Sequence, residues 1–396
     1  MRRHRRQLPA RRRPGRRRRG GRGHARRRAR IIDPRGKDAM SIDARTWLDQ
    51  VPPYRPGRKA LTEDGSMASN ESPFQVSSNV AAAITHEISH IHRYPDPLAD
   101  SLRHALAIEH NVDPDQILVG NGSDELIFLL AIAFLAQRGH AVCADPAYLI
   151  DKISTLIVGG RVTQVPLKDW KHDLDTMRDV PAEIGYVVNP HNPTGTTHRF
   201  QEISEFVHTC RSQLVVVDEA YVDFADDPDS ITAMPLARSG EAAVLRTFSK
   251  VHGVAGLRIG YLVAHADVIT TLRKIRAPFS VGTLAQAGAL AALQDPAHKS
   301  RSQAHTRALR SQVQDALREA GLEIVPSQAN FVLALAADES GLVDRLSEHG
   351  VSVRPGSSLG LPGTVRVSVP SAGGLQLLRK ALGLPDASTP PVLSSH

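Results

Sequence analysis

Between Met40 and about residue 295 short apolar runs alternate with longer segments of helical composition, and this alternation constrains the fold more than any other feature. "ILVG" at 117–120 leads into "SDELIFLLAIAFLAQRG", and "HAVCADP" leads into "YLIDKISTLIVGG". "IGYVVNP" precedes "FQEISEFVHTCRS", after which come "QLVVVDEAY" and "AAVLRTFSK". Strands that alternate with helices imply a mostly parallel sheet covered on both faces, an α/β architecture. Beyond residue 295 the pattern changes to one long charged helix, "SRSQAHTRALRSQVQDALREAG", followed by strands in "ANFVLALA", "VSVRPG" and "TVRVSVP". These suit a smaller α+β domain.

The 396 residues, 41% of them hydrophobic, suffice for one large core and one smaller one. The richest apolar stretch, "LIFLLAIAFLA" at 126–136, is too short for a membrane span and suits a buried helix. Two cysteines, Cys143 and Cys210, show no ligand spacing, so neither a disulfide framework nor a metal site is expected, and a reducing cytoplasm fits.

The net charge of +8 hides an asymmetry. Residues 1–39 hold 18 basic side chains against Asp33 and Asp38, a net +16, so the remainder carries −8. An arginine block without apolar periodicity buries no core and is expected to be disordered. Three readings stand open for it: a nucleic-acid-binding arm, an organelle-targeting extension, or upstream sequence ahead of a true start at Met40.

In an open α/β sheet, ligands gather at the carboxyl ends of the strands, so the polar residues there carry the functional reading. "GNGSDE" at 120–125 joins a strand to a helix with glycines that permit close backbone approach, Ser123 or Asp124 serving as N-cap, and amides suited to a phosphate. An ordinary turn explains it equally well. Asp218 ends the apolar run of "VVVDEAY", where a carboxylate calls for a cation, a helix cap or a core salt bridge. "NPHNPTG" at 189–195 is a turn that presents Asn192. Lys250 in "RTFSK" has a solvated surface lysine as its plain alternative.

The order of these pieces, with Tyr148 in "DPAY" and an arginine trailing the lysine, resembles the fold-type I pyridoxal-phosphate (PLP) aminotransferases over about residues 45–385. "MASNESPF" (67–74), "RYPDP" (93–97), "GLRIGY" (256–261), "PSQANFV" (326–332), "VRPG" and "TVRVSV" are similar to the histidinol-phosphate aminotransferase branch. The resemblance implies that Lys250 attaches the cofactor through its amine and then moves a proton at the substrate α-carbon. Asp218 would pair with the pyridine nitrogen, Asn192 and Tyr221 would bond the ring 3-oxygen, and Tyr148 would stack on the ring. Thr247, Ser249, Arg258 and the amides of Gly122, Ser123 and Asp124 would hold the phosphate. Arg366 would bind the substrate α-carboxylate as a planar fork, and Arg354 with Tyr54 a remote phosphate, with Asn70 and Asn330 nearby. Tyr94 would reach the cofactor phosphate of a neighbouring subunit, which implies a homodimer.

His191, His252 and the loop "RPGSSLGLPG" depart from the branch's pattern. Aromatic amino-acid aminotransferases acting on phenylalanine share most of the motifs, and threonine-phosphate decarboxylases share the scaffold. A nucleic-acid-associated, non-enzymatic protein is the reading of another class. The implied division is a basic extension over 1–39, an arm over 40–78, a large cofactor-binding domain over 79–295, a small domain over 296–388 and a tail over 389–396.

Overall fold

A computed structural model describes residues 29–30, 41–42, 45–51, 59–136 and 138–385. The chain divides into two compact units, Met1–Thr46 and Trp47–His396. In the first, strands β1 (Ala29–Arg30) and β2 (Ser41–Ile42) pair antiparallel. Most of the arginine-rich extension, Tyr54 and the tail from 386 lie outside the described residues.

The second unit holds two sheets. The larger comprises β4 (Ile117–Gly120), β5 (His140–Asp145), β6 (Arg161–Pro166), β7 (Ala182–Val188), β8 (Ser212–Asp218), β9 (Ala243–Thr247) and β10 (Gly260–Val263), in the order β4-β10-β9-β8-β7-β5-β6. β10 runs antiparallel to both neighbours, and the other pairings are parallel. The smaller sheet takes β3 (Ser66–Met67), β11 (Ile324–Val325), β12 (Phe331–Leu335), β13 (Ser352–Pro355) and β14 (Thr364–Ser368), in the order β11-β12-β14-β13-β3. β3 pairs in parallel with β13, so the arm segment around Met67 closes one edge of this sheet.

Side chains alternate faces along a strand, and the central strands are apolar on both. Val215 and Val217 of β8 join one core with Val187, Val244 and Val263. Val216 joins the opposite core with Ile184, Tyr186, Leu245 and Leu262. The helix Gly122–Phe134 covers the second face through Leu126, Ile127 and Leu130, as its apolar run requires. Helices Phe200–Thr209 and Thr283–Leu293 cover the first through Ile203, Phe206, Ala285, Ala289 and Ala292. The long helix Pro296–Glu319 packs Leu309, Val313 and Leu317, one per turn, against Val332, Val365 and Val367 of the small sheet. Among the described residues no helix is long and apolar enough to cross a membrane.

One local expectation is corrected. The helix after β4 begins at Gly122 with Asn121 as its cap, and Ser123 and Asp124 lie inside its first turn. Glu125 reaches back to accept the Asn121 N–H at 2.5 Å, which leaves Ser123 and Asp124 with no capping duty.

Candidate active site

Gly120, Asp145, Val188, Asp218 and Thr247 end β4, β5, β7, β8 and β9, and the carboxyl ends of these parallel strands open into one pocket of about 560 Å³. Arg354 and Arg366, opposite one another on β13 and β14 of the small sheet, line its other wall. Of the residues singled out above, Asn70, Ser123, Asp124, Tyr148, Asn192, Asp218, Tyr221, Thr247, Ser249, Lys250, Arg258, Arg354 and Arg366 all line this pocket.

Lys250 follows β9 in a turn, and its Nζ donates to the carbonyls of Ser69 at 3.4 Å and Asn70 at 3.3 Å. The amine stands 5.5 Å from the Tyr221 ring centre. Among the described residues Lys250 makes no ion pair, and its side chain is half-buried where it meets the two carbonyls. Asp218 is buried, and its Oδ1 accepts the Ala220 N–H at 2.9 Å. Burial pushes its carboxyl up to about 7, Asp124 and Glu219 add to the rise, and Lys250 opposes it. The core salt bridge weighed for Asp218 belongs to its neighbour. Glu219 points to the other side of the chain, where it meets Arg246 at 2.7 Å and takes hydrogen bonds from Thr232 and Ala233.

One hydrogen-bond chain spans the two sheets. Arg366 Nη1 donates to Asn192 Oδ1 at 2.6 Å, and its Nη2 to the Ala68 carbonyl at 2.8 Å. The Nδ2 atoms of Asn192 and Asn70 donate to Tyr221 Oη at 3.4 and 3.1 Å. A phenol that accepts twice still has its own proton to donate. Asn70 adopts a left-handed backbone at φ 56° and is gripped by Ser368, whose Oγ donates to its Oδ1 at 2.7 Å. Asn330 does not line the pocket; it stands behind Asn70 and donates to its carbonyl at 3.1 Å.

At the far end Arg258 meets the start of the helix Gly122–Phe134. Its Nη2 lies 3.4 Å from Asp124 Oδ2 and its Nη1 3.5 Å from Ser249 Oγ, which accepts from Thr247 Oγ1 at 3.0 Å. Tyr148 donates to Asp124 Oδ1 at 2.8 Å, so the Asp124 side chain braces a ring and a guanidinium at once. A guanidinium, two hydroxyls and a helix N-terminus make an anion site. Gly122 has φ 77°, and a Cβ there would meet Arg258 Nη2 at 2.7 Å. Gly122→Ala is therefore expected to displace Arg258 and weaken binding of a phosphate at this anion site by about tenfold or more, measured by equilibrium dialysis.

Tyr94 stands apart from the pocket, exposed and stacked on Phe279 with ring centres 4.7 Å apart. His191 and His252 are buried and do not line the pocket. Burial pushes each imidazole down to about 4. The loop after Arg354, by contrast, does line it, through Ser358, Leu359 and Gly360. The motif reading passed over Lys152, quoted only as part of a helical segment, and Gln164, which lies in no quoted stretch.

The family described as aminotransferase class I and II matches residues 65–383. The chain is 37% identical over 333 residues to the histidinol-phosphate aminotransferase of Brevibacillus brevis, covering 81% of this chain and 92% of that one. It is also 37% identical over 355 residues to histidinol-phosphate aminotransferase 1 of Thiobacillus denitrificans, covering 86% and 92%. Among solved structures, histidinol-phosphate aminotransferase from Sinorhizobium meliloti in complex with pyridoxal-5'-phosphate superposes with a TM-score of 0.77 at 26% identity, over 86% of this chain and 97% of that one. With these matches spanning both sheets and the pocket between them, the chain belongs to the class I and II aminotransferases, the PLP-dependent enzymes of fold type I, and within them to the histidinol-phosphate aminotransferase family.

Proposed function

We propose that this protein transfers the amino group of L-histidinol phosphate to 2-oxoglutarate, forming imidazole acetol phosphate and L-glutamate. The observation that carries the proposal is the meeting, in one pocket, of the amine of Lys250, the buried carboxyl of Asp218, the anion site at Arg258 and two further guanidiniums, Arg354 and Arg366.

The donor set suits PLP end to end: an anion site for its phosphate, an acid for its ring nitrogen, and an amine for its aldehyde. When bound, this cofactor supplies a sink for the electron pair left at the substrate α-carbon. Arg258, Ser249, Thr247 and the helix start at Gly122, Ser123 and Asp124 hold the phosphate. Asp218 pairs with the ring nitrogen, Asn192 and Tyr221 orient the 3-oxygen, and Tyr148 lies against the ring. Lys250 would hold the aldehyde end, and its amine would move the proton at the substrate α-carbon. Arg366 takes the α-carboxylate of glutamate, and Arg354, with Tyr54, the phosphate of histidinol phosphate.

The same reading divides the chain into an arm over 40–78, a large domain over 79–295 and a small domain over 296–388. It places the enzyme in the cytoplasm as a homodimer. Exposed Ile88, Ile91 and Tyr94 supply an apolar face for the second copy.

Mixing the PLP-loaded protein separately with histidinol phosphate and with phenylalanine, and following loss of the cofactor's visible band, tests the substrate. Fast conversion by histidinol phosphate alone is expected; preference for phenylalanine would overturn that substrate while leaving the transamination intact. Arg354→Ala is expected to raise KM for histidinol phosphate by about 10- to 100-fold, the loss of a charged hydrogen bond, and to change KM for glutamate far less. Equal effects on both would contradict its role.

A further inference from the structure

Outside the active site, residues 86–90 read His-Glu-Ile-Ser-His, two imidazoles four positions apart with a carboxylate beside the first. On a helical backbone this spacing sets both rings on one face, the arrangement that holds a metal ion in H-E-x-x-H segments. Here the helix Ser78–Glu87 tightens directly into the 3-10 turn Ile88–His90, and the two ring centres stand 5.5 Å apart. Glu87 lies between them, with Oε1 3.3 Å from His86 Nδ1 and Oε2 3.1 Å from His90 Nδ1. One potential ligand atom from each of the three residues lies within 4.8 Å of the other two.

These separations are those of a metal site. Ligands held tetrahedrally at about 2.0–2.1 Å from zinc stand roughly 3.3 Å from one another. Both histidine–carboxylate distances already have about that length, and one nitrogen of each imidazole lies within 4.8 Å of the other. In a single protomer the side chains of His86 and His90 are 76% and 52% exposed and that of Glu87 26%, on the segment whose Ile88 and Ile91 supply the apolar face assigned to a second copy. Two imidazoles and one carboxylate favour late first-row divalent cations over calcium or magnesium, which take all-oxygen shells.

We propose that His86, Glu87 and His90 form a surface binding site for a late first-row divalent cation, zinc being the probe, with water completing the coordination. Glu87 acts as a ligand, since both of its oxygens face imidazoles. Neither the active-site pocket nor the second cleft, beside Arg103 and Asp113, includes any of the three residues, so the site binds and no hydrolytic step follows.

The test is calorimetric titration of the full-length, PLP-loaded protein with zinc chloride in a non-chelating buffer. The chain has 18 histidines, so substitutions must locate the ion. Zinc affinity is expected to fall by about 10- to 100-fold in His86→Ala and in His90→Ala, with the transamination rate unchanged in both. Glu87→Gln keeps an acceptor for the rings but loses the charge, and a smaller loss of affinity is expected. Absence of zinc uptake by the wild type at roughly 0.1 mM, or titrations unchanged in both histidine variants, would overturn the proposal.

Discussion

Replacing Lys250 with alanine is expected to end turnover while leaving the protein folded. In the structure the lysine amine meets two carbonyls at 3.3 and 3.4 Å and bonds no carboxylate, and its removal leaves Asp218, already raised by burial, to hold its proton more firmly. Stability should change little, within about 1 kcal/mol. On the roles proposed for Lys250, catalysis would lose two functions at once, the covalent hold on the cofactor and the proton carrier at the substrate α-carbon. Proton transfer alone contributes about 10²- to 10⁴-fold, so the rate should fall by at least that factor. Single-turnover kinetics with saturating PLP and a thermal melt check both halves of the expectation. A rate within tenfold of wild type would show that the reaction does not pass through this amine.

Asp218→Asn is expected to move stability and activity in opposite directions. The Asp218 carboxyl is raised from 3.8 to about 7, chiefly by burial, with Lys250 only partly opposing the rise. Between those two values the folded protein holds a proton that the unfolded chain has released, so stability falls as pH rises through that window and stays reduced above it. At pH 8 the buried carboxylate costs on the order of 4 kcal/mol at most, and a neutral amide that still accepts the Ala220 N–H avoids this. The cofactor-free variant should therefore melt higher than wild type at pH 8, with the difference shrinking toward pH 4. In the proposed arrangement the protonated ring nitrogen of the bound cofactor would be the cationic partner of Asp218 and would restore its carboxylate. Without that charge the electron sink weakens, and kcat should fall by about 10²- to 10³-fold. Melts of the cofactor-free proteins at both pH values, paired with the transamination rate, decide the matter. A near-normal rate would reduce Asp218 to a structural role.

The strand-and-helix alternation was legible because each element announces itself over its own residues. Three valines mark β8, and an apolar run of eleven residues marks the helix after β4. The shortest pieces were not legible. β3 is two residues long and exists through its pairing with Ser352 and Val353, far along the chain. β6 forms the sheet edge and is mostly half-buried, so its apolar signal is weak. A core salt bridge was one of the readings open for Asp218 at the end of β8. Only the partner across the sheet, Arg246, revealed that Glu219 carries it instead.

The sequence by itself determined the α/β class, because strand and helix periodicity are properties of neighbouring residues, and the resemblance of its motifs to a known family marked many of the residues that line the pocket. Tertiary structure alone decided how those residues connect. Arg366 bonds Asn192 across 174 positions and Arg258 approaches Asp124 across 134, joining segments that no local pattern relates. It also decided the charge state of Asp218, since a carboxyl departs from its ordinary titration only where folding has taken the water away.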